Sequence, residues 1–206
     1  MKDFHFGNLS SQNVLIQMVD NHDLEVIESQ VARIRTLYNS GFHLVALKAD
    51  DWNNDLSPWE YRNFAGGADK TLEQVLKVAS SYKEGNLFIG GYSLSALFAL
   101  WSACKTDLFT GVAAASPSVW YPGFEEFSKE NRIRAKSVYL SLGDREEKTR
   151  NPVMATVGTK IRTLYETYRA DSIKCTLEWN SGNHFTEPDL RTARAFAWVL
   201  DQTLLT

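Results

Sequence analysis

The sequence predicts an α/β fold, a compact unit with a mainly parallel sheet of about six strands flanked by helices. Three observations carry this. Short β-like runs alternate with stretches of helical period along all 206 residues. The runs are apolar at consecutive positions, the pattern of strands covered on both faces. One run, Asn86–Gly90, leads directly into a turn of small residues and then a helix.

Val14–Val19 reads as the first strand. A helix over 24–38 follows, with Val26, Ile27, Val31, Ile34 and Leu37 on one face and Gly41 as its stop. Phe42–Leu47 is the second strand. Residues 49–68 show no clear period and read as a long loop, a feature often functional in compact domains. Thr71 is the expected cap of a helix reaching Lys83, with Leu72, Val75, Leu76 and Val78 inward. Asn86–Gly90 is the third strand, and Ala96–Cys104 is the helix beyond its turn. Gly111–Ala115, Ser137–Leu142 and Lys174–Trp179 follow as strands, with helices over 123–130, 155–170 and 187–204. No linker or repeat divides the chain, and its length suits one sizeable core, so 1–206 reads as a single domain.

Composition narrows the function. Hydrophobic residues at 44% and charged residues at 23% describe an ordinary globular chain. A net charge of −3 offers no basic excess for nucleic acid or an anionic membrane surface. The segment Met1–Gly7 has no apolar run of signal-peptide length, and no stretch approaches a membrane span, so a cytoplasmic location is expected. His5 is expected in a mobile terminus. Cys104 and Cys175 lie far apart, outside any CxxC or Cys/His cluster, and read as buried small hydrophobes. No metal and no organic cofactor are expected.

In mainly parallel sheets the ligand site lies off the carboxyl ends of the strands. The loops starting at Asp20, Asp50, Ser93, Ser116, Gly143 and Ser181 are therefore the ones to search. Ser93 stands out, in Gly90-Gly91-Tyr92-Ser93-Leu94-Ser95-Ala96. A nucleophilic serine needs a sharp strand-to-helix corner, where small neighbours let the backbone turn and the next amide can face a developing oxyanion. The run departs from G-x-S-x-G, because Ser95 stands at the last glycine. A serine nucleophile also needs a base, and the base an orienting acid. His184 is the one histidine after Ser93, and it sits just past the last strand. The strand ending at Gly143 is followed by Asp144-Arg145-Glu146-Glu147. Glu146, three residues past that glycine, is the first candidate acid, and the shorter Asp144 is the second. Two amides are needed for an oxyanion. Leu94 N–H is one; Asn21 or His22, after the first strand, supplies the other. His22 could equally contact substrate, and His43 reads as structural. Trp52, Trp120 and Tyr121 are candidate substrate contacts, and Trp59 is either a contact or core.

The assembled pattern resembles the esterase family of α/β hydrolases that includes trilactone siderophore esterases and bacterial carboxylesterases. Asp55-Leu56-Ser57-Pro58 with Gly66-Gly67-Ala68 is similar to its D-L-[ST]-P…G-G-A stretch. Residues 91–100 resemble G-H-S-L-G-G-L-F-A-L, and 116–121 resemble S-P-S-x-W-W. Gly143–Glu146 resembles its G-x-x-E turn, a second reason to favour Glu146, and Leu15–Asn21 resembles its strand ending in D-G. Tyr92, Ser95-Ala96 and Asn21 depart from the pattern. The chain also begins at the strand that usually comes third and lacks the long insertions that wrap large substrates. The resemblance implies the α/β-hydrolase fold and hydrolysis of a small-molecule ester through an acyl-enzyme on Ser93. Acyl transfer at the same site, or a non-catalytic binding module, are the alternatives.

Overall fold

The computed structural model describes residues 1–82 and 84–203. The chain runs β1 (Lys2–Gly7), β2 (Asn13–Val19), α1 (Asn21–Leu37), β3 (His43–Lys48), α2 (Trp52–Leu56), β4 (Glu60–Tyr61), β5 (Phe64–Ala65) and α3 (Ala68–Ala79). It continues β6 (Asn86–Tyr92), α4 (Leu94–Lys105), β7 (Gly111–Ala115), α5 (Phe124–Glu130), β8 (Ser137–Gly143), α6 (Val157–Ala170), β9 (Lys174–Asn180) and α7 (Pro188–Asp201).

Seven strands form the main sheet, in the order β1-β3-β2-β6-β7-β8-β9. Every neighbouring pair is parallel except β1 with β3. Alternation along the strands sorts side chains to two faces. Val14, Ile16 and Met18 of β2 join one core with residues of α3, α4 and α6. Leu15 and Val19 face the other way, into a core shared with Ile27, Val31 and Ile34 of α1 and with α7. Gln17 would break that second core, but its amide pairs reciprocally with Gln30 of α1 at 2.6 and 3.4 Å.

Several expectations are corrected. The sheet has seven strands and not six, because β1 precedes the strand at Val14. Phe4 and Phe6 pack inward while Asp3 and His5 alternate outward, an edge-strand pattern too short and too polar to stand out. His5 therefore lies in a paired strand, where its Nδ1 is 3.0 Å from Nε2 of the buried His43. The 49–68 segment is not a plain loop. Asp51 caps the short α2, Asn54 Oδ1 accepts from Ala65 N–H, and Trp59 Nε1–H donates to Pro122 O at 2.8 Å. Polar side chains organise it, so no hydrophobic period betrays it. Helix α3 starts at Ala68 after Gly67, and Thr71 lies buried within it instead of capping it. The expected helix ends at Lys83 and Leu204 fall outside the described residues. Cys175 is only half-buried, whereas Cys104 is buried, and both are free thiols. Among the described residues no helix is long and apolar enough to cross a membrane.

Candidate active site

Four strand ends build one site. Parallel β6 ends at Tyr92, and α4 begins at Leu94, so the whole reversal falls on Ser93. Its φ of 58° and ψ of −117° lie where residues with a Cβ are strained, and strain of this kind persists where the surroundings over-determine it. Two features do so here. A Cβ at Gly91 would overlap the Ser95 hydroxyl, so only glycine fits there. Ser95, buried at the start of α4, donates its hydroxyl to Met18 O at 2.9 Å and ties the corner to the end of β2. Ser93 Oγ thus stands at the sheet edge, 3.0 Å from His184 Nε2 and 3.2 Å from Ser118 Oγ.

His184 lies in the loop between β9 and α7. Its Nδ1 is 2.7 Å from Glu146 Oε2. An ionised carboxylate can only accept, so Nδ1 carries the proton and Nε2 is left to accept from Ser93. Tyr92 fixes the loop from below, its hydroxyl donating to His184 O at 2.8 Å.

Glu146 follows β8. Its Oε1 accepts from Gly143 N–H at 2.8 Å, from Ser116 Oγ at 2.8 Å and from Arg191 Nη1 at 3.1 Å. Burial pushes its carboxyl up, but the hydrogen bond and charge of His184, with the Gly143 and Ser116 donors, outweigh this and hold it below its ordinary value. Arg191, on α7, is itself buried and also donates to Tyr92 Oη and Ser181 O. Ser116, at φ 44°, holds its hydroxyl on Glu146 from the end of β7.

The serine and histidine open into a cavity of about 330 Å³. Trp120, Pro117, Met154, Val157 and Phe185 form its apolar wall, and Arg145 and Lys148 lie on its charged side. Phe185 is 86% exposed, so the apolar surface continues to the mouth.

No protein-family model matches the sequence, and no curated protein is similar to it. Solved structures are similar in shape. The siderophore hydrolase EstA from Aspergillus nidulans superposes with a TM-score of 0.70 at 17% identity, over 98% of this chain and 90% of its own. An IroE-like serine hydrolase from Shewanella oneidensis gives 0.74 at 14% identity, over 95% of this chain and 74% of its own. The enterobactin esterase from Shigella flexneri gives 0.67 at 13%, with 98% of this chain matching only 55% of that one. The chain has the α/β-hydrolase fold.

Within that hydrolase fold the expected residues separate. Ser93, His184 and Glu146 meet. Asp144 does not join them, since its Oδ1 accepts from Gly182 N–H at 2.9 Å on the exposed side of the turn. Leu94 N–H opens α4, which no side chain caps. Asn21 and His22 open α1, which follows β2, the strand next to β6, but neither lines the cavity. The His22 ring is exposed and faces Glu25 at 3.7 Å. Trp120 lines the cavity. Tyr121 does not, because it is buried with its hydroxyl donating to Trp59 O at 2.7 Å, and Trp59 packs on the same core. Trp52 also packs on that core and not on the cavity. Four residues of the site were assigned no role from sequence: Tyr92, Ser116, Ser118 and Arg191. The two serines sit in the S-P-S run that carried the family resemblance, which was a usable signal. Arg191 offers none, since a lone arginine in a helix reads as surface.

Proposed function

We propose that this chain is a serine esterase that cleaves small-molecule carboxylic esters through an acyl-enzyme. The observation that carries the proposal is the relay Ser93–His184–Glu146, with contacts of 3.0 and 2.7 Å, opening on a cavity. The activities of the similar structures, siderophore hydrolase, serine hydrolase and enterobactin esterase, support the same chemistry.

In the first half-reaction Ser93 Oγ bonds to the ester carbonyl carbon while its proton passes to His184 Nε2. Glu146 holds the imidazole in that tautomer and stabilises the imidazolium that forms. The carbonyl oxygen becomes an oxyanion. Leu94 N–H is the first donor to it, and Asn21 N–H is proposed as the second. The capping box uses the amides of Asp20 and Asp23, so the amides of Asn21 and His22 have no partner within α1. Parallel β2 and β6 are neighbours, so both helices present N-terminal amides at the same edge. The tetrahedral centre collapses, the C–O bond to the alcohol breaks, and His184 returns its proton to the leaving alkoxide. A water molecule then gives its proton to His184 and its oxygen to the acyl carbon, and Ser93 leaves with the proton.

A fluorophosphonate probe should label the folded protein and fail on Ser93→Ala. The same substitution should lower kcat/KM on an aryl acetate by at least about 10⁴-fold. A native protein that resists the probe and leaves aryl esters intact would overturn the proposal.

A further inference from the structure

We infer that the ester taken by this site carries a carboxylate, seated against Arg145 and Lys148. The inference rests on the esterase reading above and names the substrate class within it.

The geometry of the Asp144–Lys148 turn supplies the first argument. Glu146–Lys148 form a 3₁₀ turn with Arg145 at its start. In a 3₁₀ turn residues three apart are eclipsed, so Arg145 and Lys148 project on one side. Both line the cavity that holds Ser93 and His184. The backbone fixes this face, with Arg145 N–H donating to Gly182 O at 3.1 Å and Lys148 N–H to Arg145 O at 3.1 Å.

The second argument is charge. Three carboxylates stand in the same turn, and none of them reaches these cations at hydrogen-bond or ion-pair distance. Glu146 is turned inward and held by four donors. Glu147 gives both oxygens to Arg162, at 3.0 and 3.2 Å. Asp144 is bonded to Gly182 N–H. Among the described residues neither the Arg145 guanidinium nor the Lys148 ammonium makes a side-chain hydrogen bond or an ion pair. Behind the cavity Arg191 offsets the Glu146 charge at 3.1 Å, so Arg145 and Lys148 are the unpaired charged side chains among those lining the opening. Asp50 and Asp51 do not line the cavity. Asp51 is occupied as the cap of α2.

The third argument is the opposite wall. Trp120 and Phe185 offer aromatic surface, so the cavity pairs an apolar side with a cationic one. A compact apolar or aromatic ester with one carboxylate matches both sides.

The test compares esters that differ only in charge. On the alcohol side these are 4-acetoxybenzoate, its methyl ester and 4-(trimethylammonio)phenyl acetate. On the acyl side they are the monophenyl ester of terephthalic acid and its methyl ester. Each kcat/KM is divided by the hydroxide-catalysed rate of the same ester. At low salt at least one carboxylate ester should exceed its neutral partner by about tenfold, and the cationic ester should fall below it. The preference should shrink as salt rises to about 0.5 M, as screening of exposed charges requires. In Arg145→Gln/Lys148→Gln the charged-to-neutral ratio should collapse toward one. Benzoate should inhibit the native protein more tightly than benzamide, a readout that needs no variant. Equal rates for charged and neutral esters, or a preference for the cation, overturn the inference while the esterase stands. Absence of turnover on every ester, with no fluorophosphonate labelling, overturns both.

Discussion

The two sides of the His184 ring are built on opposite terms. Behind it, Glu146, Ser116, Tyr92 and Arg191 form a buried network in which one Glu146 oxygen accepts three hydrogen bonds. In front of it, the cavity carries two cations that bond to nothing in the described chain. A buried polar group left unpaired is costly, so the rear network must be complete in the folded state. An exposed cation keeps its water and loses little by waiting. The difference teaches which side holds the histidine in place and which side is available to a ligand. Changes behind the ring should affect stability and kcat together, whereas changes in front should act on substrate preference.

The strongest way to break this comparison is Glu146→Gln. A neutral amide cannot serve all of the Glu146 partners, and its NH₂ group must face either His184 Nδ1–H or the Gly143, Ser116 and Arg191 donors. We expect kcat on an aryl acetate to fall by about 10³- to 10⁴-fold with the fold retained by circular dichroism. Retention of full activity would remove Glu146 from the mechanism.

Arg191→Met tests the rear network at its deepest point. Removing one member of a buried ion pair costs about 3 kcal/mol, to be read from urea unfolding. The pH dependence has a definite sign. The Glu146 carboxyl is depressed in the folded protein, so its contribution is present above the ordinary carboxylate range and is lost as pH falls through the lower folded value. Without Arg191 that folded value should rise, and acid unfolding should begin at a higher pH than in the native protein. An unchanged acid-unfolding curve would mean that Arg191 does not stabilise the ionised Glu146.

These two residues also show what a sequence can display. Ser93, Glu146 and His184, which the structure brings together, were readable because each follows a strand, in the serine–acid–histidine order of this fold. Most strands were readable because they are apolar on both faces. Arg191 was not, since it meets Glu146 45 residues away in sequence and only the packing of α7 across the sheet creates the contact. Tyr121 and Trp52 show the converse failure. Their type and loop position were right for a substrate contact, but side-chain direction is set by tertiary packing, and both turn into the core. β1 was missed for a third reason: an antiparallel edge strand alternates weakly and pairs with only one neighbour.

A smaller effect is expected at the corner itself. Ser95→Ala removes the hydrogen bond to Met18 O and leaves that buried carbonyl short of a donor. A cost of about 1–2 kcal/mol in stability is expected. Because the bond ties the Ser93 corner to β2, the strand before Asn21, kcat should fall several-fold while KM changes little. A fall in stability with no change in kcat would separate Ser95 from the geometry of the oxyanion site.

The smallest effect should come from Asp144→Asn. Asp144 lies two residues from Glu146 in the same acidic run, and composition alone cannot choose between them. The structure gives Asp144 a single task, accepting from Gly182 N–H at 2.9 Å, and an asparagine Oδ1 can do the same. The group is exposed, so loss of its charge leaves no buried donor unpaired. Activity on neutral aryl esters should stay within about twofold of native, and stability within about 0.5 kcal/mol. Any change should favour anionic esters slightly, since a negative charge leaves the neighbourhood of Arg145. A large loss of kcat in Asp144→Asn together with near-native kcat in Glu146→Gln would reverse the assignment, and would mean that the loop carrying His184 turns toward the exposed side of the ring during turnover.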